Sequence, residues 1–483
     1  MKKYILLTVL SVFFLSGYSQ IDFVTYGSRA AVATNMANSA IELPGDLSFT
    51  FPGLSSIGIS ATSSLSPDEF IKTQNDGRNL VDLSHLLTNL QDQNGISGHF
   101  DYAPLFVSWH TKSRKAFFTI SYNQVVDFKG VFSDDLISYM SQGNASFIGQ
   151  NVTIEDDQFG LLHYSKLHLG YTKRINSKLS IGGKFNFYGG YNHLEIAKWQ
   201  ANIFTDENSF PAYATSADVD LEVVSGGIIA QTIDENDSYE FGGPGDFLGL
   251  GKGFGVDLGI DYKINNNFSV AASGRDLGGY IKWSEDFGRK MKIGGSGQLD
   301  FAGFETSLNS EVPGDEFERQ ADELEEELKT NFDFITLSES YNTNIGSSFT
   351  LSGQYLSDNK KHAVLGVIDA RQSFGDLGYR AGAVYHFSPA RWIQLSTAYS
   401  WSVAAPVNIG TGLTLNMGSS QLHFSTDNIT SFFSQQNLGQ VAFRFGFNIV
   451  YKSKEDPFKK DILEEIPEDK DQTAPTDTKK YFE

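Results

Sequence analysis

The chain has 483 residues, a formal charge of −21 and no cysteine, with 47 Gly, 39 Phe and 21 Tyr. The acidic balance excludes nucleic acid as a partner, which needs basic patches. The missing cysteine excludes disulfides, thiolate chemistry and a lipidated N-terminal cysteine.

Met1-Lys2-Lys3, an apolar run through Leu15 and the small residues Gly17 and Ser19 form a secretory signal peptide, residues 1–19, cleaved before Gln20. Its removal takes the charge from −21 to −23, through loss of Lys2 and Lys3. After Leu15 no window offers a transmembrane helix, so an exported chain of this length is either soluble or inserted as a β-barrel. Residues 20–46 are polar and small, with weak helical character around Arg29–Ala40. They are expected to form a periplasmic N-terminal segment or a plug. Leu47–Ser60 then reads as a first strand, with Pro52 at an edge or bulge. In Ser64–Gly95, Leu80, Leu83, Leu87 and Leu90 recur at helical spacing, which predicts an external loop with one amphipathic helix.

From Gly98 onward hairpins repeat: Gly98–His110 with Lys115–Phe128, Phe159–Arg174 with Leu179–His193, and Phe254–Ile264 with Phe268–Trp283. The connections are short and partly Asn-rich, and Asn tolerates positive φ. Within these strands the faces alternate. Phe254, Val256, Leu258, Ile260 and Tyr262 share a greasy face, while Gly255, Asp257, Gly259, Asp261 and Lys263 share the other. Strands near Thr343–Leu356, His362–Ala370, Gly378–Phe387, Arg391–Trp401, Pro406–Asn416, Gln421–Asp427 and Gln440–Tyr451 complete the series. In the last, Val441, Phe443, Phe445, Phe447, Ile449 and Tyr451 line one face.

The predicted fold is an all-β, transmembrane antiparallel β-barrel over residues 47–451, with about 14 strands (about 12–16 by other boundaries) and helical external loops. The long segments Ala61–Ser97, Lys129–Gln158, Leu194–Gly253 and Ser284–Asn342 fall on the external side. Lys290–Phe304 and Asp218–Thr232 could add strands, and Ser402–Ala405 is a short link for that side. Asp315–Thr330 is a helix with Phe317, Ala321, Leu324 and Leu328 on one stripe. Its acidic face lacks the spaced loop of a calcium site and reads as solvated. Residues 452–483 are rich in Lys, Asp, Glu and Pro and are expected to be a disordered periplasmic tail.

No catalytic, cofactor or metal motif stands out. Gly294-Gly295-Ser296-Gly297 lacks the second glycine of a nucleophile elbow. Gly249-Leu-Gly251-Lys-Gly253-Phe-Gly255 lacks the Lys-Ser/Thr of a phosphate loop. His163 and His168 stand at odd separation, on opposite faces of one strand. The expected lumen carries Lys184, Asp257, Asp261, Arg275, Arg380, His386 and Arg444, because Arg or Lys facing lipid near the midplane costs about 2–4 kcal/mol. Such charges line a pore or cross-brace a filled barrel, and the pattern leaves both open.

Phe51-Pro-Gly53-Leu-Ser-Ser56, Gly253-Phe-Gly255-Val-Asp257-Leu-Gly259, Arg275-Asp276-Leu-Gly278 with Ile281-Lys-Trp283, Thr426-Asp427-Asn428-Ile429 and Arg444-Phe-Gly446-Phe-Asn448 carry a resemblance. They resemble a domain-of-unknown-function family of Bacteroidota outer-membrane β-barrels, distantly similar to FadL-like barrels. The resemblance implies an outer-membrane barrel and no particular substrate. The asparagine-proline-alanine plug signature of FadL-like barrels is absent, and Asn35-Met-Ala-Asn38 stands in that segment. The expected partners are outer-membrane lipids and envelope proteins. The expected function is passive transport of small or hydrophobic molecules, or alternatively a structural scaffold recruiting partners through the external loops and the tail.

Overall fold

A computed structural model describes residues 23–28, 33–43, 45–50, 56–65, 71–73, 79–81, 87–209, 214–233, 248–299, 301, 313–402, 407–430 and 440–451. The expected signal peptide, the tail 452–483 and residues 403–405 of the short link lie outside them.

Fourteen strands close into one antiparallel ring. They are β1 (Leu47–Thr50 continued by Ile57–Ser63), β2 (Gln93–His110), β3 (Ala116–Ser133), β4 (Gln158–Arg174), β5 (Leu179–Thr205), β6 (Gly251–Lys263) and β7 (Phe268–Trp283). The ring continues with β8 (Tyr341–Asn344 continued by Ser348–Leu356), β9 (His362–Ser373), β10 (Asp376–Ala390), β11 (Ile393–Ser402), β12 (Asn408–Met417), β13 (Ser420–Thr426) and β14 (Gln440–Tyr451). Each strand pairs with the next. β14 returns to β1, with Leu47 opposite Tyr451 and Ile57 opposite Phe445. Closure leaves the ring without an edge strand, so every strand has two partners.

Burial in this ring is inverted relative to a water-soluble protein. Leu258, Leu351 and Ile368 are 56%, 58% and 57% exposed, whereas their neighbours Asp257, Thr350 and Asp369 are 1%, 3% and 1% exposed. Period-2 alternation places large apolar side chains outside and polar ones inside. Only a hydrocarbon surrounding makes that arrangement favourable, and the protein is therefore a transmembrane barrel. On adjacent strands close to the short turns Trp109 stacks on Phe118 at a ring distance of 5.5 Å, and Phe118 meets Tyr171 in a tilted contact at 5.1 Å. Aromatic residues at that level suit a membrane interface.

At one end of the ring, here the turn end, every connection is short, whereas the other, the loop end, carries the long ones together with the two-residue turn between β9 and β10. At the loop end β5 continues past the ring into a second sheet. Its distal half pairs with Asn151–Glu155 on one side and Thr215–Gly227 on the other. Thr215–Gly227 pairs with Gly288–Gln298, which pairs with Asp333–Ser338. Of the segments weighed as extra barrel strands, 218–227 and 290–298 thus belong to a sheet outside the barrel. The sheet has its own core of Leu136, Tyr139, Val152, Ile154, Ile203, Ile293 and Phe332, against which Leu324 and Leu328 of helix Pro313–Asn331 pack. One expectation is corrected. Asn79–Val81 is a strand paired with Ile71–Thr73, so Leu80 does not belong to a helix with Leu87 and Leu90. A local pairing of two nearby triplets overrides the helical spacing there, and Leu83 lies outside the described residues.

Candidate functional site

The lumen is filled from the turn end by residues 23–28 and 33–43. Phe23, Val24, Tyr26, Asn35, Asn38, Ala40 and Ile41 are all buried. One side of this segment is apolar: Phe23, Val24, Tyr26 and Ala37 pack on Leu365, Val367, Val384 and Ala398 of the β9–β11 wall. The other side is held by polar wall groups that reach its backbone. The Lys184 ammonium donates to the Asn35 carbonyl at 2.6 Å, Thr172 to Ser39 at 2.5 Å and Ser273 to Ala37 at 3.1 Å. Gly182 and Gly259 are required for the approach, because a Cβ would lie 2.1 Å from the Ser39 oxygen and 2.3 Å from the Asn38 amide oxygen.

Both ends of the segment are anchored by charge. Near the turn end, Glu42 pairs with Arg174 and approaches His110 at 3.8 Å, and Asp46 pairs with Arg114. At the far end the Asp427 carboxylate accepts the Phe23 and Val24 amides at 3.3 and 3.4 Å and pairs with Arg380. The Arg380 guanidinium lies 3.9 Å from the centre of the Phe23 ring, a cation–π contact. His386 donates from Nε2 to the Tyr26 carbonyl at 3.3 Å. Its Nδ1 faces the Ser396 hydroxyl at 2.8 Å, which sets the assigned tautomer.

Between the segment and the walls lies a cavity of about 120 Å³, lined by residues of β2–β4, β6–β9 and β14 and by Tyr26, Thr34 and Met36. Two charge networks border it. Arg444 grips Asp101 with two bonds of 2.6 and 2.9 Å, and Asp101 faces His99 at 3.3 Å. His99 bonds Asp127 at 2.7 Å, and Asp127 accepts from Arg371 at 3.2 Å. This chain runs from β14 through β2 and β3 to β9, on the opposite side of the ring. In the second network Lys166 bonds Asp276 at 2.6 Å and stands 3.8 Å from Asp257. Tyr188 donates to Asp276 and Asn186 to Asp257, each at 2.6 Å.

The second network depends on a bulge. Along β6 and β7 the register runs from Val256 opposite Leu277 to Leu258 opposite Gly274, an extra residue on β7. Asp276 has φ +53° and Gly278 φ +62°. The bulge lets the consecutive residues Arg275 and Asp276 both line the cavity, which an unbroken strand forbids.

Toward the loop end the lumen turns apolar. Val125, Leu162, Tyr164, Tyr188, Ile281, Trp283 and Ile345 form one cluster, with Tyr341 and Phe374 against it. Phe374 and Gly375 form the two-residue turn between β9 and β10, both with positive φ (45° and 85°). A bulky side chain rarely adopts that conformation. Here it swings Phe374 across the mouth onto Gly160, where a Cβ would lie 2.4 Å from the ring. The same turn is tied over by an ion pair from Asp376 to Lys129, with Gln158 accepting from that lysine at 2.9 Å.

Of the residues predicted for the lumen, Arg275 and Arg444 line the cavity with Asp257, and Lys184 lies beneath the segment. Arg380 and His386 contact the segment's far part, and Asp261 is buried nearer the turn end of β6. Sequence reading passed over Asp101, His99, Asp127, Lys166, Arg371 and Asp427. The inward face of their strands carried the signal for most of them. For Asp276 that signal points outward, and only the Asp-x-Gly pattern hints at a bulge.

The geometry defines a membrane β-barrel whose lumen holds a segment of its own chain beside a charged cavity. The family model described as a family of unknown function (DUF5723) matches residues 40–427, and the chain belongs to that family. Among solved structures it is similar to the Ralstonia pickettii toluene transporter TbuX, at 10% identity and TM-score 0.42, over 91% of this chain and 100% of that one. A Pseudomonas aeruginosa FadL homologue is similar at 8% identity and TM-score 0.43, over 90% of this chain and 100% of that one. The Pseudomonas putida toluene transporter TodX is similar at 11% identity and TM-score 0.41, over 91% and 100%. No curated protein matches the chain.

Proposed function

We propose that the protein is an outer-membrane channel for passive passage of small solutes, with its lumenal segment, residues 23–28 and 33–43, as its gate on the periplasmic side. The turn end is then periplasmic and the loop end external. The carrying observation is how the segment is held: wall side chains reach its backbone through single hydrogen bonds, beside a cavity that already occupies part of the path. Water can replace such bonds one at a time, because each contributes only about 0.5–1.5 kcal/mol net, or about 1.5–3 when charged. The turn Phe374-Gly375 closes the external mouth by a comparably small contact. The test is solute flux into proteoliposomes holding the full chain or a chain lacking residues 23–43. Low flux in the first and high flux in the second supports the reading. A correctly folded deletion variant, judged by heat-modifiable gel mobility, that passes no solute overturns it.

A second reading, a scaffold that recruits envelope proteins, is favoured by one feature of the external sheet. Among the described residues, strand Asp333–Ser338 pairs on one side only and exposes Ile335 and Leu337. Such an edge suits strand addition by a partner. Crosslinking from Ile335 in intact cells that yields no stoichiometric adduct would remove this reading.

A further inference from the structure

We infer that the lumenal cavity is a binding site for a small oxyanion, of the size of a short carboxylate or a phosphate. The inference rests on the channel reading and gives it a substrate class.

The argument is a count of donors and acceptors facing the cavity. Every carboxylate bordering it is engaged. Asp101 takes three contacts, two from Arg444 and one from His99. Asp127 is shared by His99 and Arg371. Asp257 accepts from Asn186 at 2.6 Å and from the Asp276 amide at 2.8 Å, and Asp276 accepts from Lys166 and Tyr188. The groups left open are donors. Arg275 spends its Nε on Ser348 at 2.9 Å, and among the described residues no carboxylate lies within ion-pair distance of it. A guanidinium carries five N–H donors, so its terminal nitrogens remain to be satisfied. Tyr164, 3% exposed, has no hydrogen-bond partner for its hydroxyl among the described residues.

Buried polar groups are nearly always hydrogen-bonded, and an unmade bond costs about 1–3 kcal/mol. Water can serve each group but supplies no negative charge opposite Arg275. An oxyanion supplies acceptors for the guanidinium and the phenol, and the missing charge as well. A volume of about 120 Å³ suits a ligand of a few heavy atoms.

The test is calorimetric titration of the detergent-solubilised full chain with inorganic phosphate and, separately, acetate, after long equilibration so that slow opening of the segment is not limiting. Saturable binding of either probe is expected, and which one binds identifies the source of the oxyanion. Arg275→Gln is expected to weaken it at least tenfold and Tyr164→Phe several-fold. Lys361→Gln, on an exposed turn, should leave it unchanged. Tyr164→Phe removes one oxygen and preserves the ring packing, so it reads the site even if Arg275→Gln disturbs the bulge. No binding of either probe by the unsubstituted protein, or equal loss in all three variants, overturns the inference. Flux measured in parallel separates the two readings: a channel that conducts without binding either probe refutes the oxyanion site alone, and a barrel that binds but never conducts refutes the channel alone.

Discussion

Asp427 is the residue on which docking of the lumenal segment is most exposed to a single substitution. Its carboxylate accepts the amides of Phe23 and Val24 at 3.3 and 3.4 Å and faces Arg380, with both charged side chains almost fully buried. Bonds to a charged acceptor contribute about 1.5–3 kcal/mol each, and their length places these two at the low end. Asp427→Asn retains one neutral acceptor, worth about 1 kcal/mol, in place of about 3. The loss of about 2 kcal/mol corresponds to about a 30-fold fall in the docking constant. The broken ion pair costs the wall further stability, which Ser400 at 3.3 Å and the Phe23 ring partly offset by holding Arg380. The chain has no cysteine, so Thr25→Cys provides a unique thiol on the segment. A membrane-impermeant maleimide should label it about 30-fold faster when Asp427→Asn is added, as the undocked population rises. Labelling rates within twofold of each other would refute the claim that this carboxylate holds the segment in place.

Three further outcomes follow from other parts of the molecule. Leu258→Arg places a charge on the lipid face beside inward Asp257, and should cost about 2–4 kcal/mol in denaturant titrations of folding into vesicles. Stability equal to that of the unsubstituted barrel would contradict the assigned faces. Ile203→Ala opens a cavity in the core of the external sheet and should destabilise that sheet by about 2–5 kcal/mol. The expected readout is faster proteolysis of the loop end with unchanged heat-modifiable mobility of the barrel. At Glu222, desolvation pushes the carboxyl up, but hydrogen bonds and charge from Lys290 at 2.6 Å and Lys292 at 3.4 Å outweigh it and hold the group below its ordinary 4.5. A lowered folded value means that its contribution is present above 4.5 and is lost as pH falls through the lower value. Protease sensitivity of the external sheet should therefore rise on acidification below that point, and Glu222→Gln should flatten this part of the profile.

Much of the barrel was legible because a membrane strand repeats every two residues and tolerates few exceptions. The alternation of Phe254 to Tyr262 against Gly255, Asp257 and Asp261 corresponds to an exposed and a buried face, with Lys263 exposed at the strand end, and the ring closes with the expected 14 strands. The helix at Asp315–Thr330 was legible too, by its acidic face and its stripe ending in Leu324 and Leu328. The external sheet was not. Its strands Thr215–Gly227 and Gly288–Gln298 have strand-like sequences, but whether such a strand joins the ring or stacks outside it depends on pairing partners far along the chain. Leu80 failed for a related reason, since helical spacing over a few leucines carries no information about a competing local pairing.

By itself the sequence determined the architecture and the inward direction of residues such as Lys184, Asp257 and Arg444, because both follow from local alternation and from the cost of charge in lipid. Tertiary structure alone decided what these residues meet. Asp101 and Arg444 are separated by most of the chain and become partners only when the last strand lies beside the first. Asp276 faces the lumen only through a bulge, and Phe23 reaches Asp427 only because the N-terminal segment threads a closed ring. Alternation sets which way a side chain points. Register, bulges and ring closure set its distance from every other, and the charged cavity is made of those distances.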